Sequence, residues 1–199
     1  MTARLFQLSG VIVDLIYDIP GLPAAGDEVE STNFHTAAGG GFNAAAAARR
    51  LGVEVVYAGS LGTGTFSDIA AAALAAEGIP LAHADRAAMD QGHCIALVDA
   101  RAERTFVSYH GAERHITEAQ LAKLPVRDED WLLLTGYSLY KKSSADVFVP
   151  WLRTLPRGPR LLFDPGPVVG GIATDILDIA MARADWVSVN AREASTLTG

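Results

Sequence analysis

The residues best suited to chemistry lie in Ala38-Gly-Gly-Gly-Phe-Asn-Ala-Ala45, where three glycines and an asparagine run straight into an alanine-rich helical pattern ending at Leu51-Gly52. Without β-carbons the backbone can approach a ligand closely, and the free N–H groups of the following helix offer donors and the positive end of a dipole. Asn43 adds a side chain with both donor and acceptor faces. Gly39, Gly40, Gly41 and Asn43 together therefore suit a polyhydroxylated ligand better than a bare anion. A tight loop that uses glycine for steric reasons alone is the plainer alternative. Gly39, Gly41 and Ala44 also fit Gly-x-Gly-x-x-Ala, but a dinucleotide fingerprint follows the first strand directly and is trailed about 20 residues later by an acid for the ribose. Here an extra strand intervenes and the following stretch offers only Glu54. No Gly-Lys-Ser/Thr follows a glycine cluster, so a P-loop is absent.

Three further places carry polar groups next to predicted strands or helices. Tyr137, in Thr135-Gly-Tyr-Ser138, follows an apolar run, where strand-end residues face the crevice of an open α/β sheet; a core-edge aromatic is the alternative. Asp164, in Phe163-Asp-Pro-Gly-Pro167, is a candidate for the same crevice or the cap of a proline turn. Asn190 and Glu193 stand three apart at a helix start, so they project toward one face, and they also spell a capping box. The five histidines form no zinc-ligand spacing; His93 and His110 are read as lining a lid or as half-exposed strand residues. Cys94 is read as a small packing residue.

Short apolar runs at Leu5–Leu8, Val55–Ala58, Trp131–Leu134, Leu161–Phe163 and Trp186–Val189 predict buried strands. Between them, helix patterns run over Phe42–Leu51, Phe66–Glu77, Thr117–Leu124, Ser143–Leu155 and Ile172–Ala182, with Gly52 and Gly78 as stop signals. This βαβ rhythm predicts a mostly parallel α/β sheet with helices on both faces. Val29–Thr36, His93–Asp99 and Arg104–His110 alternate apolar and polar residues without an intervening helix, and read as exposed antiparallel strands forming a flap. Exposed strand edges of this kind invite pairing of two chains, lid to lid.

The whole is one α/β domain over residues 1–199, with half its residues hydrophobic and one fifth charged, which excludes global disorder. Its net charge of −7 and lack of a Lys/Arg cluster argue against a nucleic-acid platform. Apolar windows are too short for a membrane span, the single cysteine cannot form an internal disulfide, and no leader pattern opens the chain. Together these predict a cytoplasmic location.

The segment Ala38–Gly52 resembles the first signature of the ribokinase-like (PfkB) carbohydrate kinases. Other landmarks resemble that family in the same order: Ser9-Gly10 with Asp14, Pro23-Ala-Ala-Gly26, Gly59-Ser-Leu-Gly62, Gly111-Ala112, and Asn190-Ala-Arg-Glu193 with Leu197-Thr-Gly199. The resemblance implies a ribokinase-like α/β fold with a small β-sheet lid, drawn from segments near 11–18, 29–37 and 92–110. It further implies ATP-dependent phosphorylation of a hydroxyl of a sugar or sugar-like substrate. Asp14, at the end of the first strand, would accept hydrogen bonds from sugar hydroxyls beside Gly39–Asn43 and Tyr137. Asn190 and Glu193, with Asp164, would organise Mg²⁺ and its waters beside the ATP phosphates, Glu193 acting through water. A homodimer formed through the lid is also expected.

Departures from the family pattern bear on substrate. Ile12 stands where ribokinase carries an asparagine and Gly40 where it carries a lysine, so ribose is disfavoured; Gly64 and Ser67 replace an acid and a glycine after the Gly-x-x-Gly turn. The family's catalytic aspartate, preceded by Gly-Ala-Gly, and its adenine pocket have no counterpart between Met1 and Gly199. The sequence is therefore expected to be the sugar-binding part of such a kinase, truncated or incompletely represented and inactive alone. The alternatives are a non-catalytic sugar- or nucleoside-binding protein and, further off, an NAD-dependent oxidoreductase.

Overall fold

A computed structural model describes residues 2–199. Five parallel strands form the body: β1 (Arg4–Gln7), β4 (Glu54–Tyr57), β9 (Trp131–Thr135), β10 (Arg160–Asp164) and β11 (Trp186–Val187), in the spatial order β11-β10-β9-β1-β4. Their side chains alternate between two apolar layers, as the pleat requires. Phe6, Leu132, Leu134, Leu161 and Phe163 pack in one cluster with Leu121, Phe148, Leu152 and Ala180. Those four come from α3 (Glu118–Ala122), α4 (Lys142–Thr154) and α5 (Thr174–Arg183). On the other face, Val55 and Tyr57 meet Ala45 of α1 (Gly41–Arg50) and Ala70 and Leu74 of α2 (Thr65–Ala76). Helices thus cover both faces, as the apolar runs predict.

A second, four-stranded sheet stands against this body. It contains β2 (Val11–Asp18), β3 (Asn33–Gly40), β7 (His93–Val98) and β8 (Arg104–Tyr109), in the order β3-β2-β7-β8. The β2–β3 and β7–β8 pairs are antiparallel and β2–β7 is parallel, so the sheet is mixed. Two short strands, β5 (Leu61–Gly62) and β6 (Arg86–Ala87), pair beside it, and α6 (Ala191–Thr198) follows β11.

Three sequence expectations are corrected. Trp186–Val189 does not form a buried strand: only Trp186 and Val187 pair, on the outer side of β10, and Trp186 is 62% exposed because β11 is the sheet's edge. The strand expected over residues 29–37 runs from Asn33 to Gly40, because its register against β2 continues through the glycines up to Val11–Gly40. Asp14 is not at the end of the first strand. That strand stops before Ser9-Gly10, where the Gly10 carbonyl accepts from Gly41 N–H at 2.8 Å, and the chain turns into the second sheet.

The remaining departure in the sequence has a compensating partner. Gly64 and Ser67 leave α2 without a local acidic cap, yet the Asp90 carboxylate reaches across to accept from Ser67 N–H at 2.7 Å, Phe66 N–H at 3.1 Å and Ser67 Oγ–H at 2.8 Å. These bonds satisfy orphan donors of the first turn and hold Asp90 below the usual carboxylate range despite the opposing effect of desolvation.

Candidate functional site

Between the two sheets lies a cavity of about 530 Å³. Alternation in the mixed sheet turns Ile12, Asp14, Cys94, Phe106 and Ser108 toward it, while Gln7, Leu133 and Thr135 contribute from the parallel sheet. The register explains the grouping: Asp14 is paired with Cys94, and Cys94 with Ser108. Ser108 Oγ–H donates to Cys94 Sγ at 3.2 Å.

Asp14 makes no side-chain hydrogen bond or ion pair among the described residues, and burial pushes its carboxyl above the ordinary value. A desolvated acceptor without donors is costly. It is the kind of group that a ligand hydroxyl can satisfy. Gly40, Gly41 and Asn43 also line the cavity, at the start of α1, whose first turn has neither a side-chain cap nor an acidic residue. That leaves the dipole end open to a ligand.

Each glycine of the turn also has a steric task. A β-carbon on Gly41 would sit 2.6 Å from the Ser9 carbonyl oxygen, and one on Gly40 2.8 Å from that of Gly10; Gly40 also has φ +61°. Gly39 does not line the cavity itself. It clears space for the Asp14 carboxylate, whose Cγ would lie 2.7 Å from a β-carbon there. Because α1 follows β3 of the mixed sheet, the Gly39-x-Gly41 pattern is not the turn of a parallel βαβ unit, which is what a dinucleotide fingerprint needs.

Tyr137 and Asp164 come to the same cavity from the C-terminal ends of β9 and β10. Burial raises the Tyr137 hydroxyl above its ordinary value, as do the nearby Cys94 and Asp164. Asp164 is likewise raised, first by burial and also by the negative charge of Glu193, although Oδ1 accepts from Gly166 N–H at 3.0 Å. Asn190 and Glu193 form a reciprocal cap on α6: Asn190 Oδ1 accepts from Glu193 N–H at 2.9 Å, and the Glu193 oxygens accept from Asn190 N–H at 3.0 Å and Asn190 Nδ2 at 2.7 Å. The pair is not part of the cavity lining; Glu193 is linked to the site electrostatically, through Asp164 and Tyr137.

Sequence reasoning missed Glu113 and Arg114, which line the cavity just after the Gly111-Ala112 turn. Glu113 accepts from Gly92 N–H at 2.8 Å and Gly111 N–H at 3.0 Å, and its Oε1 lies 3.3 Å from His110 Nδ1. One carboxylate thus fastens both roots of the β7–β8 hairpin. The available signal was an acid two residues after Gly111, but its second partner, Gly92, is 21 residues away.

The chain matches the model of the pfkB family carbohydrate kinases over residues 5–199. It is 34% identical over 188 residues to the uncharacterized sugar kinase YegV of Escherichia coli (strain K12), covering 94% of this chain and 58% of that protein. Among solved structures it superposes on a ribokinase from Giardia lamblia with TM-score 0.80 at 19% identity, covering 100% of this chain and 60% of that one. It also matches a fructokinase with bound ATP from Xylella fastidiosa, with TM-score 0.76 at 19% identity, covering 99% of this chain and 64% of that one. The chain belongs to the pfkB family and has the ribokinase-like fold. It spans about 60% of the length of these relatives.

Proposed function

We propose, with that family membership as the premise, that this chain is the acceptor-binding, lid-bearing part of an ATP-dependent kinase that phosphorylates a hydroxyl of a sugar or sugar-like alcohol. The observation that carries this reading is the unpartnered, desolvated Asp14 carboxylate facing a cavity whose rim includes Asn43 and the uncapped start of α1. Asp14 would accept from two hydroxyls, Asn43 would both donate and accept, and the Gly40–Gly41 backbone would permit close approach. The mixed sheet would exclude water from the acceptor and hold it in one orientation.

ATP would supply the transferred phosphoryl group and Mg²⁺ would screen its charge. Both oxygens of Glu193 already accept from Asn190, and no group of three or more His, Cys, Asp or Glu among the described residues is arranged to hold a metal ion. Glu193 and Asp164 therefore suit a hydrated ion approached through its waters, as Mg²⁺ often is, better than direct coordination. The groups that take the acceptor's proton would come from outside these 199 residues.

Ile12 and Gly40 at the cavity offer no polar side chain, which supports acceptors other than ribose. The mixed sheet would also serve as a dimer surface: Phe34, Phe106, Val107 and Tyr109 are each more than half exposed on it, and β8 is an open edge. Sedimentation equilibrium tests this; a monomer at every concentration overturns it. No helix among the described residues is long and apolar enough to cross a membrane. The acceptor reading is tested by calorimetric titration of sugars and polyols into the chain, where saturable binding supports it and its absence across a broad panel contradicts it.

A further inference from the structure

The cavity lining carries acidic and basic side chains together. Asp14 and Asp164 are two of its acids, one from each sheet. Facing the same space, Arg114 is half-buried, and its guanidinium makes no hydrogen bond or ion pair with any described residue. The adjacent Glu113 does not neutralise it by contact, because that carboxylate is engaged by Gly92, Gly111 and His110. Arg114 is not alone. His110 also lines the cavity, and its imidazole is held below the ordinary value by burial and by the positive charges of Arg114 and Lys141, against an opposing pull from Glu113. Lys141 acts on His110 from outside the cavity lining, with its ammonium 4.5 Å from the centre of the Tyr140 ring. On a chain with net charge −7, Arg114 and His110 thus line the same cavity, and the Arg114 guanidinium has no hydrogen-bond or ion-pair partner among the described residues.

A guanidinium removed from water must be compensated, and its fork of donors matches the paired oxygens of a carboxylate or phosphate. We propose that Arg114, with His110 beside it, forms an anion-binding corner of the cavity. Its ligand is a carboxylate or phosphate oxygen pair. The two possible sources are an anionic substituent on the acceptor alcohol itself, as in a sugar acid or sugar phosphate, and the phosphoryl group in transfer. The first source rests on the acceptor reading above, whereas the corner itself does not.

The test compares matched six-carbon polyols with and without a charge, D-gluconate against D-glucitol, together with inorganic phosphate. Each is titrated calorimetrically into the wild-type chain and into Arg114→Ala, Arg114→Lys and Asp14→Asn. If the anion belongs to the acceptor, gluconate binds at least about tenfold more tightly than glucitol, since a charge-assisted pair is worth that much. Arg114→Ala removes the preference, Arg114→Lys restores part of it, and Asp14→Asn weakens both polyols alike. If the anion is the phosphoryl group, the polyols bind equally, while phosphate binds in an Arg114-dependent way. Phosphate binding lost in Arg114→Ala while neither polyol binds upholds the corner and removes the acceptor reading. Equal affinity for both polyols with no Arg114-dependent phosphate binding overturns the proposal, as does a gluconate preference that survives Arg114→Ala.

Discussion

The Asp14 carboxylate occupies the space that a side chain at residue 39 would need: a β-carbon on Gly39 would lie 2.7 Å from Asp14 Cγ. Gly39 is the cross-strand partner of Ile12, two residues from Asp14, so the two positions are locked into one register of the β2–β3 pair. The glycine of the signature thus serves the acid of the neighbouring strand.

Gly39→Ala is therefore expected to rotate Asp14 away from the cavity. Polyol affinity should drop about tenfold or more, the loss expected when a charged hydrogen-bonding partner is withdrawn. Stability should fall by about 1–3 kcal/mol through overpacking. The double variant with Asp14→Asn should bind no more weakly than Asp14→Asn alone. Additive losses, read by calorimetry, would show that Gly39 acts on the ligand independently of Asp14.

Much of the fold was legible because buried parallel strands write themselves as uninterrupted apolar runs, and Leu5–Leu8 or Trp131–Leu134 could be read without knowing their neighbours. Trp186–Val189 carried the same signal, but burial depends on what lies beside an edge strand, which no local pattern records. In the site, the glycine turn and Asn43 stood out by composition. Glu113 and Arg114 did not, because their meaning comes from Gly92 and from a cavity wall assembled from distant strands. The cap that Asp90 supplies to α2 was hidden for the same reason, with 23 residues separating it from Ser67.

Acid titration should separate two kinds of carboxylate. Burial raises the folded-state values of Asp14 and Asp164 above the ordinary 3.8, so the folded state binds more protons and stability falls as pH rises from about 3.8 through those raised values. Asp14→Asn should accordingly melt higher than the wild type at pH 7, with the gain shrinking as pH approaches 4. Asp130 behaves oppositely. Fully buried, it pairs with Arg4 at 2.7 Å and with Arg127 at 3.0 Å, and bonds to both arginines hold it far below the ordinary range against the cost of desolvation. Its contribution is complete above pH 3.8 and is lost as pH falls toward its depressed value. Asp130→Asn should cost about 3 kcal/mol at pH 7, as expected when a buried pair is broken. Thermal melts across pH 2–8 check both signs.

Glu113→Ala should release the N–H groups of Gly92 and Gly111 and loosen the root of the β7–β8 hairpin. Hydrogen exchange should accelerate at those two glycines and along β7 and β8, while β9 and β10 in the body stay protected. Glu113→Gln, which keeps an acceptor oxygen, should restore part of the protection. Unchanged exchange in the hairpin would mean that the carboxylate does not hold it.

Calorimetric titration of a panel of sugars and polyols into the wild-type chain and Asp14→Asn at pH 7 decides whether the Asp14 carboxylate holds the acceptor. Saturable binding of at least one polyol at one site per chain is expected, weakened about tenfold or more in the variant, since a carboxylate acceptor is replaced by a group that competes poorly for hydroxyl donors. Equal binding by the two chains, or no binding of any polyol by a wild type that melts cooperatively, would contradict it.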